Sequence, residues 1–193
     1  MKPESSSLEK YLKFDSIIDW NDPTIQCKSA EILGSNNNEV DKARLIFEWV
    51  RDNIPHSNDI NSNVLPSSAS EVLTAGTGIC FSKSHLLAAL CRSSNIPAGF
   101  CYQALRLDPP YDNTLVLHGL NGIYLSELNK WIIVDARGGT TETPFDTINP
   151  VLAFSTNSKH GEFLYDTIYH SPFKHVVEKL SKNTSRAEFA NDI

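Results

Sequence analysis

The most informative part of the chain is residues 76–103, GTGICFSKSHLLAALCRSSNIPAGFCYQ. Within this stretch, residues 80–94 are predicted to form one long helix. The middle of that helix is apolar on nearly every side, which is typical of a helix at the buried centre of a domain. After Pro97 the residues follow the pattern of a strand instead. The sequence therefore predicts a central helix that leads directly into a β-sheet.

Helices are predicted mainly before this segment and strands after it. Asn38 can cap the longest of these helices, and Ser68 with Glu71 forms a capping box for the last helix before residue 76. The predicted helices cover residues 11–18, 25–33, 40–54, 69–75 and 173–180, and the predicted strands cover residues 98–107, 115–125 and 130–137, with a turn at 108–110. Helices followed by an antiparallel meander indicate the α+β class.

Length and charge limit the class of protein. With 193 residues, the chain is expected to form a single domain over residues 1–193, with a frayed tail at about 182–193. The net charge of -6 disfavours a nucleic-acid-binding protein, which needs a basic face. No stretch approaches the roughly 20 apolar residues of a membrane span, and the polar first residues lack the apolar segment of a secretory signal. We therefore expect a cytoplasmic protein that binds neither nucleic acid nor membrane.

The cysteines are candidates for reactivity. They are Cys27, Cys80, Cys91 and Cys101, and they include no CxxC pair. In a reducing compartment they are expected to be free thiols. Cys80 lies where a glycine-containing loop becomes the central helix, and the unpaired amides at a helix N-terminus favour a thiolate. A nucleophile and a small apolar residue are both compatible with that position, whereas the other three are predicted to be packing residues.

A thiolate nucleophile needs an imidazole, and the imidazole needs a group that orients it. In a hairpin of the second and third strands, a two-residue turn would place His118 directly opposite Asp135. A four-residue loop at 126–129 would place the two on a diagonal, roughly 7–8 Å apart at the backbone. Both loops put the two side chains on one face, and a three-residue loop would separate them. Asp135 is the polar residue of an apolar run, so it needs a partner unless it ends the strand and faces water.

The remaining candidates are less specific. His56 is expected to line the rim of a cleft, and His85 lies one turn into the central helix. A zinc site made of Cys80, His118 and Asp135 is chemically possible, but the paired ligand spacing of zinc proteins is missing. We therefore predict no metal.

Several separate segments together resemble the transglutaminase-like superfamily. They are residues 47–56, FEWVRDNIPH; residues 76–103; residues 117–125, LHGLNGIYL; and residues 130–139, KWIIVDARGG. The family pattern is a Gly-x-Cys that opens a helix, a turn like Gly-Ile-Pro-Ala, a His that begins the next strand, and a Trp and an Asp on the strand after it. Cys80, His118 and Asp135 fall on the three polar positions in the family's order. The resemblance covers about residues 40–140 and implies a papain/transglutaminase-like fold, in which the nucleophile helix packs on an antiparallel sheet.

The chain departs from the family pattern in two places. Gly119 follows His118 where the family commonly has an aromatic residue nearby, and Ala136-Arg137 follows Asp135 where Pro-Thr is frequent. Both departures concern the substrate groove and leave the three polar positions intact.

The resemblance implies a cysteine-nucleophile enzyme that acts on an amide of a protein or peptide through a thioester, without a cofactor. Water or an amine as acceptor would decide between hydrolysis and transfer. Besides the backbone N–H of Cys80, Gln103 and His56 are candidates for oxyanion or substrate binding, and Trp131 is a candidate groove wall. Gln103 and Trp131 would equally suit ordinary strand positions. The alternatives are a binding or structural module without turnover, and arylamine-type acyl transfer; the oligomeric state is not predicted.

Overall fold

The computed structural model of the protein describes residues 1–106, 114–138 and 143–191, and it has the predicted α+β fold. The helices are α1 (Pro23–Leu33), α2 (Glu39–Asn53), α3 (Ala69–Ala75), α4 (Cys80–Ser93), α5 (Lys174–Lys182) and α6 (Arg186–Asn191). The strands are β1 (Lys2–Pro3), β2 (Ala98–Arg106), β3 (Leu115–Leu125), β4 (Lys130–Val134), β5 (Phe163–Leu164) and β6 (Thr167–Ile168). Short 3₁₀ helices lie at Leu8–Leu12, Ser126–Leu128 and Ser158–His160. The turn predicted at 108–110 lies outside the described residues.

Helix α4 is the buried centre of the fold, as its composition predicts. Helices α1, α2 and α3 contact it on one side, and strands β2 and β3 contact it on the other. All its side chains from Phe81 to Arg92 are buried. Burying a leucine side chain contributes roughly 1.5–3 kcal/mol, so Leu86, Leu87 and Leu90 hold this helix firmly between the two layers.

The predicted helix caps are present, and they determine where the chain enters α4. The Asn38 side chain accepts a hydrogen bond at the start of α2. Ser68 and Glu71 form the capping box of α3. Gly76 ends α3 with a left-handed backbone, φ 62°, which a residue with a side chain adopts less readily. The short loop after Gly76 therefore leads directly to Cys80.

The main sheet has the strand order β4-β3-β2-β5. Strands β2 and β3 are antiparallel, and Gln103 lies opposite His118. Strands β3 and β4 pair so that Leu125 lies opposite Lys130. That is the four-residue-loop register, so of the two arrangements left open by the sequence, the structure has the diagonal one for His118 and Asp135. Strands β1 and β6 form a separate parallel pair.

One predicted helix is wrong. Residues 11–18 do not form a helix, and the only helical turn nearby among residues 1–22 is the 3₁₀ helix Leu8–Leu12. The Asp15 carboxylate accepts hydrogen bonds from the backbone N–H groups of Ile17 and Ile18, both at 2.8 Å. Such local bonds turn the chain and compete with helix formation.

The chain also differs from expectation at two later points. Strand β4 ends at Val134, earlier than the predicted residue 137, because the Asp135 side chain accepts the Arg137 N–H at 3.0 Å and turns the chain. Part of the tail for which fraying is predicted forms α6, and its Phe189 ring lies 6.2 Å from the Phe81 ring. None of the helices in the described part of the chain combines the length and the apolar character needed to cross a bilayer.

Candidate active site

Cys80 is the first residue of α4, and its surroundings favour a charged sulfur. Ile79 precedes the helix and supplies no side-chain hydrogen bond to the first turn. The N–H groups of that turn therefore carry an unneutralised partial positive charge beside the thiol. At Gly78, a Cβ would lie 2.8 Å from the Cβ of Ser82, so glycine lets the loop approach the helix closely. The thiol itself is half-buried.

His118 on β3 and Asp135 after β4 form a buried pair. His118 Nε2 donates a hydrogen bond to Asp135 Oδ2 at 2.9 Å. The carboxylate also accepts the backbone N–H groups of Arg137 and Ala153, each at 3.0 Å. Burial by itself raises the pKa of Asp135, but the bond and charge of His118 and the two backbone donors outweigh it, so the pKa is lowered. An ionised Asp135 fixes the imidazole with Nδ1 left for another partner.

That partner is the thiol of Cys80. Burial alone raises the pKa of the Cys80 thiol, but hydrogen bonds from His118 and His56 outweigh burial and lower the pKa to about 6. Burial alone lowers the pKa of His118, but its bonds to Asp135 and Cys80 raise the pKa to about 10. Both shifts favour the form of the pair in which Cys80 is a thiolate and His118 is an imidazolium. The structure therefore brings Cys80, His118 and Asp135 into one site.

Comparison with known proteins identifies the family of this chain. A family model described as the transglutaminase-like superfamily matches residues 27–136, which is more than half of the 193-residue chain. The chain belongs to the transglutaminase-like superfamily. No curated protein matches the sequence.

Solved structures resemble this transglutaminase-like chain over part of their length. A candidate cysteine protease from Cytophaga hutchinsonii matches with a TM-score of 0.56 and 25% identity, over 69% of this chain and 43% of that chain. The periplasmic domain of TgpA from Pseudomonas aeruginosa matches with a TM-score of 0.48 and 14% identity, over 67% of this chain and 46% of that chain. This chain thus spans less than half the length of either structure. Family membership and the Cytophaga structure support a cysteine-based enzyme in general.

A segment that the sequence did not indicate covers the imidazole of this transglutaminase-like site. The Phe154 ring meets the His118 ring edge to face, with 5.0 Å between centroids. Ala153 N–H donates to Asp135, and the Phe154 carbonyl accepts a hydrogen bond from Gln103 Nε2 at 3.0 Å. Phe154 remains 42% exposed, so it forms one wall of the site. No motif marks this segment, and its contacts depend on the fold alone.

The two strand residues named as candidates have different positions. Gln103 lies beside His118 and is buried, but its amide N–H bonds the Phe154 carbonyl, which makes it an anchor for the covering segment. Trp131 is not brought to the site. It lies opposite Tyr124, six residues along β3 from His118 and so roughly 20 Å away. Its ring packs against Tyr11 and Tyr124 as part of a second apolar cluster.

A buried lysine lies one turn after Cys80. Lys83 is 1% exposed, and its Nζ donates to the carbonyls of Arg137 at 3.1 Å and Arg51 at 3.4 Å. Burial lowers the pKa of Lys83 to about 8. The side chain joins α4 to the end of α2 and to the turn after Asp135. The signal in the sequence was a single lysine within a helix predicted to be buried.

The departure from the family pattern after His118 has a steric explanation. A Cβ at Gly119 would lie 2.6 Å from Cδ1 of Phe81. The Phe81 ring, from the residue after Cys80, therefore occupies the space beside this strand position. In the described ranges, no group of three or more His, Cys, Asp or Glu side chains is arranged to hold a metal ion.

Proposed function

We propose that the protein is an enzyme that cleaves or transfers the acyl group of an amide through Cys80, His118 and Asp135. The observation that carries this proposal is the position of His118 between the two other groups. Its Nε2 donates to Asp135 at 2.9 Å, and its ring lies close enough to the Cys80 sulfur to lower the pKa of the thiol. A thiolate, a proton carrier and an orienting carboxylate are the three parts that nucleophilic acyl chemistry requires.

The first half of the reaction is acylation of the sulfur. The Cys80 thiolate attacks the carbonyl carbon, a C–S bond forms, and the carbonyl π electrons move to the oxygen. When the oxyanion collapses, the C–N bond breaks, and the leaving amine takes the proton of the His118 imidazolium. The product is a thioester on Cys80. Asp135 keeps the ring oriented and stabilises its positive charge.

The second half releases the acyl group. Water or an amine attacks the thioester while neutral His118 takes its proton, and the sulfur leaves as a thiolate. Water gives hydrolysis and an amine gives acyl transfer. The low pKa of Cys80, about 6, and the raised pKa of His118, about 10, support this cycle because both groups are in the required charge state near neutral pH.

The proposed substrate is an amide of a peptide or protein. Cys80 is half-buried, and the exposed part of Phe154 lies beside His118, where a substrate chain would bind. The Cytophaga structure, which is named as a candidate cysteine protease, supports peptide hydrolysis as one outcome.

A three-way assay tests this function. The wild-type chain and a Cys80→Ser variant are compared for amine incorporation into casein, hydrolysis of peptide pools and deglycosylation of glycopeptides. We expect at least one activity in the wild type and none in the variant. Activity that persists in Cys80→Ser, or complete inactivity of the wild type in all three assays, would contradict the proposal.

A further inference from the structure

We propose that His56 is a second catalytic imidazole, which donates a hydrogen bond to the oxyanion that forms when Cys80 attacks a carbonyl. This inference rests on the proposed function, since the oxyanion exists only in an acyl reaction. His118 carries a proton to the leaving amine and back, whereas the proposed role of His56 is only to donate a hydrogen bond.

The backbone fixes the position of His56 relative to the nucleophile. His56 and Gly78 form a parallel β-bridge. Beside it, Thr77 Oγ1 donates to the carbonyl of Pro55 at 2.9 Å. The segment that carries His56 is therefore tied to the loop that ends at Cys80. Only 6% of His56 is exposed, so its ring has little freedom to turn away.

The hydrogen bonds of the ring define which nitrogen carries the proton. The backbone N–H of Asn58 donates to His56 Nδ1 at 3.2 Å. A neutral imidazole that accepts at Nδ1 carries its proton on Nε2. His56 also lowers the pKa of the Cys80 thiol, so its ring lies close to the sulfur, and Nε2–H is the nitrogen left to face it. His118 has the opposite arrangement, because its Nε2 donates to Asp135 and its Nδ1 is left for the sulfur.

This division suits two different tasks. In the tetrahedral intermediate the carbonyl carbon is bonded to the sulfur, so the oxyanion lies within about 3 Å of the sulfur. A donor to the oxyanion must therefore lie close to the sulfur as well. The backbone N–H of Cys80 at the start of α4 is one donor. His56 Nε2–H faces the same sulfur from a buried position beside Gly78 and supplies the second. Because Nδ1 is occupied by Asn58, His56 does not compete with His118 for the proton of the thiol.

Two amide variants separate this role from simple packing. In His56→Gln the side-chain amide extends to about the position of Nε2, and in His56→Asn it extends only to that of Nδ1. Either amide can accept the Asn58 N–H or fill the space of the imidazole ring. Only the longer Gln side chain can donate a hydrogen bond toward the sulfur. The probes are p-nitrophenyl acetate, whose attack forms an oxyanion, and iodoacetamide, which alkylates the same sulfur without forming one.

Both rates are measured at a pH at which ultraviolet absorbance shows that Cys80 of each variant is fully ionised. We expect single-turnover acylation by p-nitrophenyl acetate to fall roughly 10²-fold in His56→Asn, the loss typical of one oxyanion donor, and to stay near wild type in His56→Gln. Alkylation should change far less in either variant. Undiminished acylation in His56→Asn, or a parallel loss of acylation and alkylation, would overturn the inference alone. A wild-type chain that is alkylated but never acylated would refute the proposed function, and this inference with it.

Discussion

Asp135 reaches His118 across a diagonal, with Oδ2 2.9 Å from Nε2. The last pair of the β3–β4 register is Asn121 with Val134, so the next step along the register would put Asp135 opposite Leu120. The Asp135 carboxylate comes within hydrogen-bond distance of the imidazole because β4 ends at Val134 and one carboxylate oxygen accepts the N–H of Arg137. The other oxygen accepts both His118 and the N–H of Ala153. The imidazole is thus oriented by a carboxylate that is itself held by two backbone groups.

The first prediction concerns this carboxylate. Asp135→Asn removes the negative charge and replaces one acceptor oxygen by an NH₂ group, which cannot accept the hydrogen bonds that the oxygen receives. We expect the acylation rate with p-nitrophenyl acetate to fall by roughly 10²–10⁴-fold, as at comparable triads. The control is Asp41→Asn, which removes an exposed carboxylate on α2 paired with Arg44. Equal rates for the two variants would contradict the assigned role.

Local patterns explain why much of this fold could be predicted. The apolar composition of α4, the caps at Asn38 and Ser68, and the sheet pattern of β3 are all encoded within a few neighbouring residues. A loop of either two or four residues places His118 and Asp135 on one face, and the structure has the four-residue loop. These features depend on hydrogen bonds and burial within one element or one hairpin.

Features that depend on distant contacts could not be predicted. Phe154 covers His118 although it lies 36 residues further along the chain. Two hydrogen bonds hold it there, from Gln103 to the Phe154 carbonyl and from the Ala153 N–H to Asp135. The sequence makes Trp131 a candidate groove wall, but the observed register places it beside the far end of β3. Neither outcome has a signal in spacing or composition.

The second prediction concerns the reactivity of the thiol with pH. Alkylation of Cys80 by iodoacetamide should rise with pH and reach half its maximum near the pKa of about 6. In His118→Ala the midpoint should move upward, toward the value of about 8.5 for an unperturbed thiol. Peptide mass spectrometry gives the rate for each cysteine separately.

An internal control for this experiment is Cys91. It is buried in the middle of α4, and burial raises its pKa to about 12, so it should stay unlabelled while the protein is folded. A Cys80 midpoint that is the same in the wild type and in His118→Ala would contradict the coupling of thiol and imidazole.

The third prediction concerns Lys83 and the pH dependence of stability. Its folded pKa of about 8 lies below its ordinary value of 10.5, so between these pH values the unfolded chain binds more protons than the folded chain. The free energy of unfolding therefore increases with pH in this window. Lys83→Met lacks this group, so the wild type should gain stability relative to the variant, by up to about 3 kcal/mol. Urea unfolding of both proteins across the window measures the difference. A constant difference would show that the ammonium is not destabilised by burial.

The fourth prediction concerns the contact between Gly119 and Phe81. A methyl group at Gly119 would lie 2.6 Å from the Phe81 ring, so Gly119→Ala should force the ring to move. We expect a loss of roughly 1–3 kcal/mol in unfolding free energy, as for other overpacked sites. Because Phe81 follows Cys80 directly, acylation should slow as well. Adding Phe81→Leu should recover part of both losses, and no recovery would contradict the steric explanation.

The most direct measurement is a search for an acyl group on the nucleophile. The wild-type protein is mixed with p-nitrophenyl acetate, quenched in acid, digested and analysed by mass spectrometry, with Cys80→Ala in parallel. We predict a thioester-linked acetyl group on the peptide that contains Cys80, formed in the wild type and missing in His118→Ala at the same reaction time. A wild-type protein without an acetyl group on Cys80, or one acetylated there no faster than the His118→Ala variant, would contradict a cysteine nucleophile activated by His118.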